Sequence, residues 1–276
     1  MSEVARALSA ASDRIAAVSD TPRLDAELLL AHALGITRER LLIDPPQGEM
    51  PPLFDALVER RASGEPVAYL VGRKGFWTIE LMVGPGVLIP RGDSETLIEA
   101  ALAHFAGRAP PQTILDLGTG PGTLLLAALS EWPDAQGLGI DASPQALDYA
   151  RRNAAALGLD KRAELRPGHW ADGVTGRFDL ILCNPPYVRS GDQTGPGVAE
   201  HEPHEALFAG ADGLDDYRQI LPALSGLLAE GGLAAIEIGH DQAADVLALV
   251  EGTGLSGEIA RDLGKRDRAL LLTLPR

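Results

Sequence analysis

The sequence predicts an α/β fold: a doubly wound, mainly parallel seven-stranded sheet, preceded by a small α-helical domain and a connecting β-hairpin. Strand-like and helix-like segments alternate from Thr113 onward, which is typical of an open parallel sheet. Residues 178–183 are too continuously apolar for a half-exposed strand and fit the middle of such a sheet. Before Arg73 the chain shows helical patterns without strands. We therefore expect a helical domain over residues 1–73, a hairpin linker over 74–91 and the sheet domain over 92–276.

Composition and charge narrow the class of protein. The chain has 276 residues, and its formal net charge of -15 disfavours a protein that grips a nucleic-acid backbone. No apolar run approaches the ~20 residues that span a bilayer, and the amino terminus lacks the pattern of a signal peptide. The single cysteine, Cys183, excludes an internal disulfide and is predicted to be a small core residue. We expect a cytoplasmic, monomeric protein without membrane or nucleic-acid partners.

The helices of the amino-terminal domain have recognisable ends. One helix is predicted behind Thr21, which can cap it, and Pro22, which fits its first turn, and Gly35 should end it. Thr37 can start a shorter helix, and a further one is expected over residues 52–61. Nothing in this domain resembles a catalytic group. Its role is either to bind a partner or to serve as a structural cap.

A hairpin is predicted between the two domains. Apolar residues from Trp77 to Val83 alternate with other residues, which indicates one strand over 75–83. Residues 84–86 read as a turn and residues 87–90 as the returning strand. The following helix should begin with Asp93 or Ser94 as its cap.

A glycine-rich loop follows the first predicted strand of the sheet, residues 113–117. Glycines let the backbone approach a ligand closely at the amino end of the helix that comes next. The Gly-x-Gly-x-Gly spacing differs from the dinucleotide pyrophosphate pattern, which argues against a nicotinamide enzyme. The candidate ligand-binding residues of this loop are Gly118, Thr119, Gly120, Pro121 and Gly122.

Two further candidates follow the next two strands. Asp141 ends the second strand at the distance where nucleotide-binding α/β units place an acid on ribose hydroxyls. The alternative is that Asp141 caps the next helix, a role that Ser143 can also fill. Trp170 lies beyond the third strand and is either an aromatic wall for a purine or a core residue.

The fourth strand ends abruptly in Asn184-Pro185-Pro186-Tyr187. Neither proline has a backbone N–H, so carbonyl oxygens at this corner can point outward without a local donor competing for them. Together with the Asn184 side-chain oxygen they make a fork of acceptors that suits a planar NH₂ group, and Tyr187 can stack on the same group. An ordinary turn after a strand is the alternative.

Residues 188–213 are rich in Gly, Pro and charge and are predicted to form a lid over the site. His201 and His204 invite a metal-binding interpretation. Pro203 lies between them, their spacing is not that of the helical two-histidine motif, and no further ligands are evident, so no metal is expected.

The combination of a glycine loop, an acid after the second strand and Asn-Pro-Pro-Tyr after the fourth resembles class I S-adenosylmethionine methyltransferases that act on planar amino nitrogens. Within that group the chain resembles the peptide chain release factor N5-glutamine methyltransferases over nearly its whole length. The residues that carry this resemblance are the helical domain, Leu88-Ile89-Pro90-Arg91, Glu95-Thr96, residues 116–122, Asn184-Pro185-Pro186-Tyr187, Glu202-Pro203, Gly213-Leu214, Glu237-Ile238-Gly239 and Asp267-Arg268.

The resemblance implies a Rossmann-like methyltransferase fold and S-adenosylmethionine as cofactor. It implies that residues 118–122, Asp141 and Trp170 bind the cofactor and that Asn184, Pro185, Pro186 and Tyr187 hold the glutamine of the release factor's Gly-Gly-Gln loop, with Asn184 also touching the cofactor. Asn184, Pro185 and Tyr187 would be the catalytic residues. The chain departs from the family pattern at Gly92, Ser94, Pro121 and Lys265.

The chemistry of an amide explains why such a site needs positioning. A carboxamide nitrogen is a poor nucleophile, and acceptors on both of its N–H groups would aim it at a methyl donor without a dedicated base or metal. Three other functions stay open from the sequence. They are methylation of a ribosomal-protein glutamine, N6-methylation of adenine in nucleic acid, and cofactor binding without catalysis.

Overall fold

A computed structural model describes residues 2–46 and 48–275, and this part of the chain falls into two units. One unit contains the residues up to Arg73 together with Val83–Pro85 and Gln193–Glu202. The other contains Lys74–Met82, Gly86–Asp192 and the residues from Pro203 onward. Across the described ranges, no helix is long and apolar enough to cross a membrane.

The first unit consists of short helices around an apolar core of its own. Its helices are α1 Glu3–Ile15, α2 Pro22–Leu34, α3 Arg38–Ile43, α4 Pro52–Ala62 and α5 Val67–Val71. Gly35 ends α2 with a φ of 66°, in the left-handed region that favours glycine, as the sequence predicts. Thr37 caps α3 by accepting a hydrogen bond from the Arg40 N–H at 3.2 Å.

The hairpin is shorter and lies earlier in the chain than predicted. β1 Arg73–Phe76 and β2 Ile79–Met82 pair around a turn at Trp77, and the described residues 87–90 are not a strand. Trp77 has a φ of 53°, its backbone N–H donates to Glu95 at 2.8 Å, and its indole N–H donates to Glu131 at 2.6 Å. These tertiary hydrogen bonds stabilise a turn at Trp77, where the alternation of apolar residues had predicted a continuous strand.

The second unit is built on a β-sheet that confirms the predicted fold class. Its strands are β3 Thr113–Leu117, β4 Gln136–Asp141, β5 Ala163–Pro167, β6 Phe178–Cys183, β7 Leu228–Glu237, β8 Ser256–Arg261 and β9 Asp267–Thr273. Within the described residues they form one seven-stranded sheet in the order β5-β4-β3-β6-β7-β9-β8. The first five strands of that order pair in parallel, and β9 is antiparallel to both of its neighbours. Of the last two strands, therefore, β9 alone runs against the others.

Helices cover both faces of this sheet. They are α6 Glu95–Phe105, α7 Thr123–Glu131, α8 Pro144–Ala156, α10 Asp215–Leu227 and α11 Ala243–Val250, while α9 Val198–His201 belongs to the first unit. Successive residues of β6 enter different clusters, since Leu182 joins one apolar core and Ile181 and Cys183 join the other. This explains why the sequence of β6 is apolar without alternation.

The strand register brings the predicted site residues to one edge of the sheet. β3 lies between β4 and β6, and Leu117, the last residue of β3, pairs with Ile140 and with Cys183. The residues that follow these strands therefore leave the sheet at one level. The chain runs from β3 to β4 and β5 on one side and then crosses back to β6 on the other side of β3, so the strand order reverses there and a crevice opens.

Candidate active site

A cavity of about 370 Å³ opens at the carboxyl ends of β3, β4 and β6. Its volume lies in the range of small-molecule pockets. Of the residues predicted for the site, Gly118, Thr119, Gly120, Pro121, Asp141, Trp170, Asn184 and Pro186 line it. Gly122, Pro185 and Tyr187 belong to the same two loops but are not part of the described lining.

The glycine loop is tied to the neighbouring strand and pressed against an aromatic ring. The N–H groups of Gly118 and Thr119 both donate to the Ile140 carbonyl at 2.9 Å. Gly118 has a φ of 72°, and a Cβ at this position would lie 2.9 Å from the ring of Trp170. The loop therefore requires glycine here both for its backbone conformation and for space.

Pro121 has a structural partner that the sequence did not suggest. Its carbonyl oxygen accepts a hydrogen bond from Asn153 Nδ2 at 2.8 Å, and the same amide exchanges two hydrogen bonds with the backbone of Met82. Asn153 is almost fully buried. This single side chain links the glycine loop to the end of β2.

Asp141 holds the glycine loop rather than capping a helix. One of its carboxylate oxygens accepts from the Gly120 N–H at 2.7 Å and the other from the Ser143 N–H at 2.8 Å. The cap of α8 is Ser143, whose hydroxyl oxygen accepts from the Ala146 N–H at 3.2 Å. Burial raises the pKa of Asp141 against these two hydrogen bonds. Each carboxylate oxygen keeps a lone pair for a further donor.

Asp116 lines the cavity but was not singled out from the sequence. It is 1% exposed, its Oδ2 accepts from the Thr119 hydroxyl at 2.6 Å, and its Oδ1 has no hydrogen-bond partner among the described residues. Burial raises its pKa to about 7. A buried carboxylate oxygen without a partner calls for a donor from outside the protein.

Trp170 forms one wall of the cavity and is held in an uncommon backbone conformation. Its φ is 48°, in the left-handed region that large side chains rarely adopt, and its indole N–H donates to Asp216 Oδ1 at 3.2 Å. Asp216 also lines the cavity. The strain and the hydrogen bond together orient the ring, which is a common feature of ligand sites.

Hydrogen bonds connect both ends of the Asn-Pro-Pro-Tyr corner to the buried carboxylate of Glu237. Asn184 Nδ2 donates to Ser94 Oγ at 3.1 Å, Ser94 Oγ donates to Glu237 Oε2, and the Tyr187 hydroxyl donates to Glu237 Oε1 at 3.1 Å. Burial raises the pKa of Glu237, and it also raises that of Tyr187 well above its ordinary value. Among the described residues, no donor bonds the carbonyl oxygen of Pro185.

Ser94 occupies the N-cap position of α6, as predicted, but its hydroxyl makes no cap hydrogen bond and serves this cluster instead. Asp116 and Glu237 share a sequence signal that points to function: each is an acid that directly follows an apolar run, Ile114-Leu115 and residues 233–236 respectively. An acid is almost never fully buried without a specific partner.

The predicted lid contributes its second half to the cavity. Pro203, Glu205, Ala206 and Phe208 line the cavity, and Val188 bridges to Phe208 at the base of the loop. No cluster of metal-ligating side chains occurs in the residues that the structure describes.

The sheet order and the three loops at its switch point define a class I S-adenosylmethionine-dependent methyltransferase. Comparisons with known protein families and structures agree with this assignment. Residues 94–207 match the family model described as methyltransferase small domain, and residues 6–72 match the PrmC N-terminal domain. The fold is similar to the crystal structure of a methyltransferase from Pyrococcus furiosus, with a TM-score of 0.51 and 18% sequence identity over 70% of this chain and 87% of that chain.

Curated relatives define the family. The chain is 45% identical over 258 residues to the release factor glutamine methyltransferase of Rhodospirillum rubrum, covering 91% of this chain and 79% of that protein. It is 43% identical to the enzyme of the same description from Caulobacter vibrioides, covering 96% of this chain and 94% of that one. The chain belongs to the release factor glutamine methyltransferase family.

Proposed function

We propose that this enzyme transfers the methyl group of S-adenosylmethionine to N5 of the glutamine in the Gly-Gly-Gln motif of class I peptide chain release factors. The observation that carries the proposal is the orientation of Asn184. Its amide nitrogen is bonded to Ser94, so its carbonyl oxygen is left for the cavity that Asn184 lines. An acceptor in that place suits a substrate that presents a planar NH₂ group.

The cofactor would occupy the end of the cavity formed by the glycine loop. S-adenosylmethionine supplies an electrophilic methyl group on a sulfonium. Asp141 would accept the ribose hydroxyls with its remaining lone pairs, and the Trp170 ring would lie against the adenine. The unpaired oxygen of Asp116 supports a contact with the ammonium group of the methionine part, because an ammonium group brings donors and a compensating charge.

The glutamine would be held at the Asn184 corner. Asn184 Oδ1 and the Pro185 carbonyl would accept its two N–H groups, with Pro186 in the wall and Tyr187 stacking on the amide plane. This arrangement aims the nitrogen lone pair at the methyl group, and the two acceptors favour the positive charge that develops on the nitrogen. Once the new bond has formed, the proton becomes acidic and leaves to solvent. No side chain has to remove it beforehand.

The two units would divide the work. The helical domain, residues 1–73, would select the release factor, and the sheet domain, residues 92–276, would perform the transfer, with the hairpin segment 74–91 as linker. Remote contacts are needed because a loop glutamine alone offers little surface for specificity. We further propose that the enzyme acts as a monomer in the cytoplasm without binding nucleic acid.

The test is methyl transfer from labelled S-adenosylmethionine to purified release factor, DNA, RNA and ribosomes in parallel. Label is expected in the release factor, at the glutamine, as located by peptide mass spectrometry. A release factor with that glutamine replaced by asparagine is the control, because its amide is one methylene short of the site. Label that appears only in nucleic acid or in a ribosomal protein would contradict the proposal.

A second comparison addresses the helical domain. With a short Gly-Gly-Gln peptide instead of the whole release factor, kcat/KM is expected to fall steeply while the Kd of S-adenosylmethionine stays the same. Equal kcat/KM for the peptide and the whole factor would show that remote contacts contribute nothing.

A further inference from the structure

The Asn184 side chain is the end of a chain of hydrogen bonds that starts at Glu237. Glu237 is fully buried at the end of β7, next to β6, and each of its carboxylate oxygens accepts one hydroxyl proton. One of these hydrogen bonds comes from Ser94, which also holds Asn184 at the start of the corner. The other comes from Tyr187 at its end. The Tyr217 hydroxyl donates to the backbone carbonyl of Glu237 at 2.9 Å and so fixes the strand end itself.

The direction of the bonds follows from counting protons. A serine hydroxyl has one proton, and a carboxylate has acceptors alone. Because Ser94 donates its one hydroxyl hydrogen bond to Glu237, its oxygen can only accept a hydrogen bond from Asn184. The amide nitrogen of Asn184 must therefore face Ser94, at 3.1 Å, and the carbonyl oxygen must face away from it.

We propose that Ser94, held by Glu237, is a positioning residue for methyl transfer, because it selects the amide orientation in which Asn184 accepts a hydrogen bond from the substrate. The inference rests on the proposed function and adds to it the residue that decides which way Asn184 points. In the reversed orientation an NH₂ group of Asn184 would meet the NH₂ group of the glutamine, and two donors cannot bond each other. Ser94 is 2% exposed, so its hydroxyl is bonded within the protein rather than to bulk solvent.

Ser94→Ala removes the hydroxyl with little change of volume. With release factor as substrate and saturating cofactor, the single-turnover rate is expected to fall about tenfold, the value of one hydrogen bond. The Kd of S-adenosylmethionine should change less than twofold. Ser94→Thr keeps the hydroxyl and is expected to keep most of the rate. Ser130→Ala is the matched control, since among the described residues that hydroxyl bonds the Leu126 carbonyl within α7 and no other group.

The Ser94→Ala substitution made in an Asn184→Asp variant separates the effect on amide orientation from the effect on packing. In the Asn184→Asp background both side-chain oxygens are acceptors, so the orientation no longer matters. There, adding Ser94→Ala is expected to leave the rate unchanged or to raise it, because it also removes an oxygen that faces the new carboxylate. Melting temperatures check that each variant is folded.

Two outcomes would overturn the inference. One is a folded Ser94→Ala variant with the wild-type rate, and the other is an equal loss of rate on Ser94→Ala in both backgrounds. Failure of the proposed function is seen separately, because wild-type enzyme would then leave the release factor glutamine unmethylated.

Discussion

Replacing Asp116 with Asn tests whether this buried carboxylate receives the ammonium group of the cofactor. Burial raises the pKa of Asp116 to about 7 in the cofactor-free enzyme. The α-amino group of a peptide, used here as the reference for the cofactor's amine, has a pKa of about 7.8. If binding pairs the two groups as ions, affinity falls on the acid side as Asp116 is protonated and on the alkaline side as the amine is deprotonated. The tightest binding is expected between these two pKa values.

The size of the effect follows from the fraction of Asp116 that is ionised and the fraction of the cofactor's amine that is protonated. Both groups are charged in about 9% of encounters near pH 6 and in about half of them near pH 7.4. The Kd of the wild-type enzyme for S-adenosylmethionine should therefore be about sixfold weaker near pH 6 than near pH 7.4. Asp116→Asn cannot ionise, so it should bind more weakly near pH 7.4 and should lose the acid side of the profile. It keeps the alkaline side, which belongs to the cofactor.

Titration calorimetry of both proteins across this pH range measures the two profiles. S-adenosylhomocysteine, which carries the same amino group, gives a second set of values with a stable ligand. The reasoning is refuted if the two proteins show the same acid limb, because the titrating group would then lie elsewhere. It is also refuted if Asp116→Asn binds as tightly as wild type near pH 7.4.

The raised pKa of Asp116 also predicts how the stability of the protein changes with pH. The pKa of Asp116 is raised on folding, so its ionisation favours the unfolded state, and this contribution lowers the free energy of unfolding as pH rises from about 4 to about 7. A shift from 3.8 to about 7 corresponds to about 4 kcal/mol. Urea unfolding of cofactor-free protein should show that Asp116→Asn gains stability over wild type at high pH and not at low pH. A constant difference would contradict this.

Three other substitutions test the remaining parts of the site. Asp141→Ala should weaken S-adenosylmethionine binding by about 1.5–3 kcal/mol in calorimetry, because it removes the proposed ribose acceptor and frees the Gly120 N–H. Unchanged affinity would leave Asp141 a purely structural role. Gly118→Ala should bind cofactor at least tenfold more weakly, as its Cβ would collide with the Trp170 ring and its φ of 72° is strained for alanine; wild-type affinity would show that the wall can move. For Asn184, single-turnover rates should fall in the order wild type, Asn184→Asp, Asn184→Ala, since aspartate keeps an acceptor, whereas an alanine variant as fast as wild type would make Asn184 a turn residue.

Much of the site could be read from the sequence because its parts follow strand ends directly. The glycine loop, Asp141 and Asn184 each come immediately after an apolar run, and the carboxyl ends of parallel strands meet at one edge. Local chemistry also located helix ends such as Gly35 and Thr37. In these cases the residues that determine the structure are neighbours in the chain.

The hairpin and the support of Asn184 were decided by the tertiary structure. Trp77 forms a turn because Glu95 and Glu131 accept its N–H groups, and neither acid is near it in sequence. Ser94 has the pattern of a helix cap, yet 90 residues separate it from Asn184 and 143 from Glu237, its hydrogen-bond partners. A hydroxyl near a helix start can bond to the backbone or to a distant side chain with similar energy, and only the packing of β6 beside β7 brings the second choice within reach. The sequence by itself thus determined which loops build the site, while the fold determined which buried groups join them and which way those groups point.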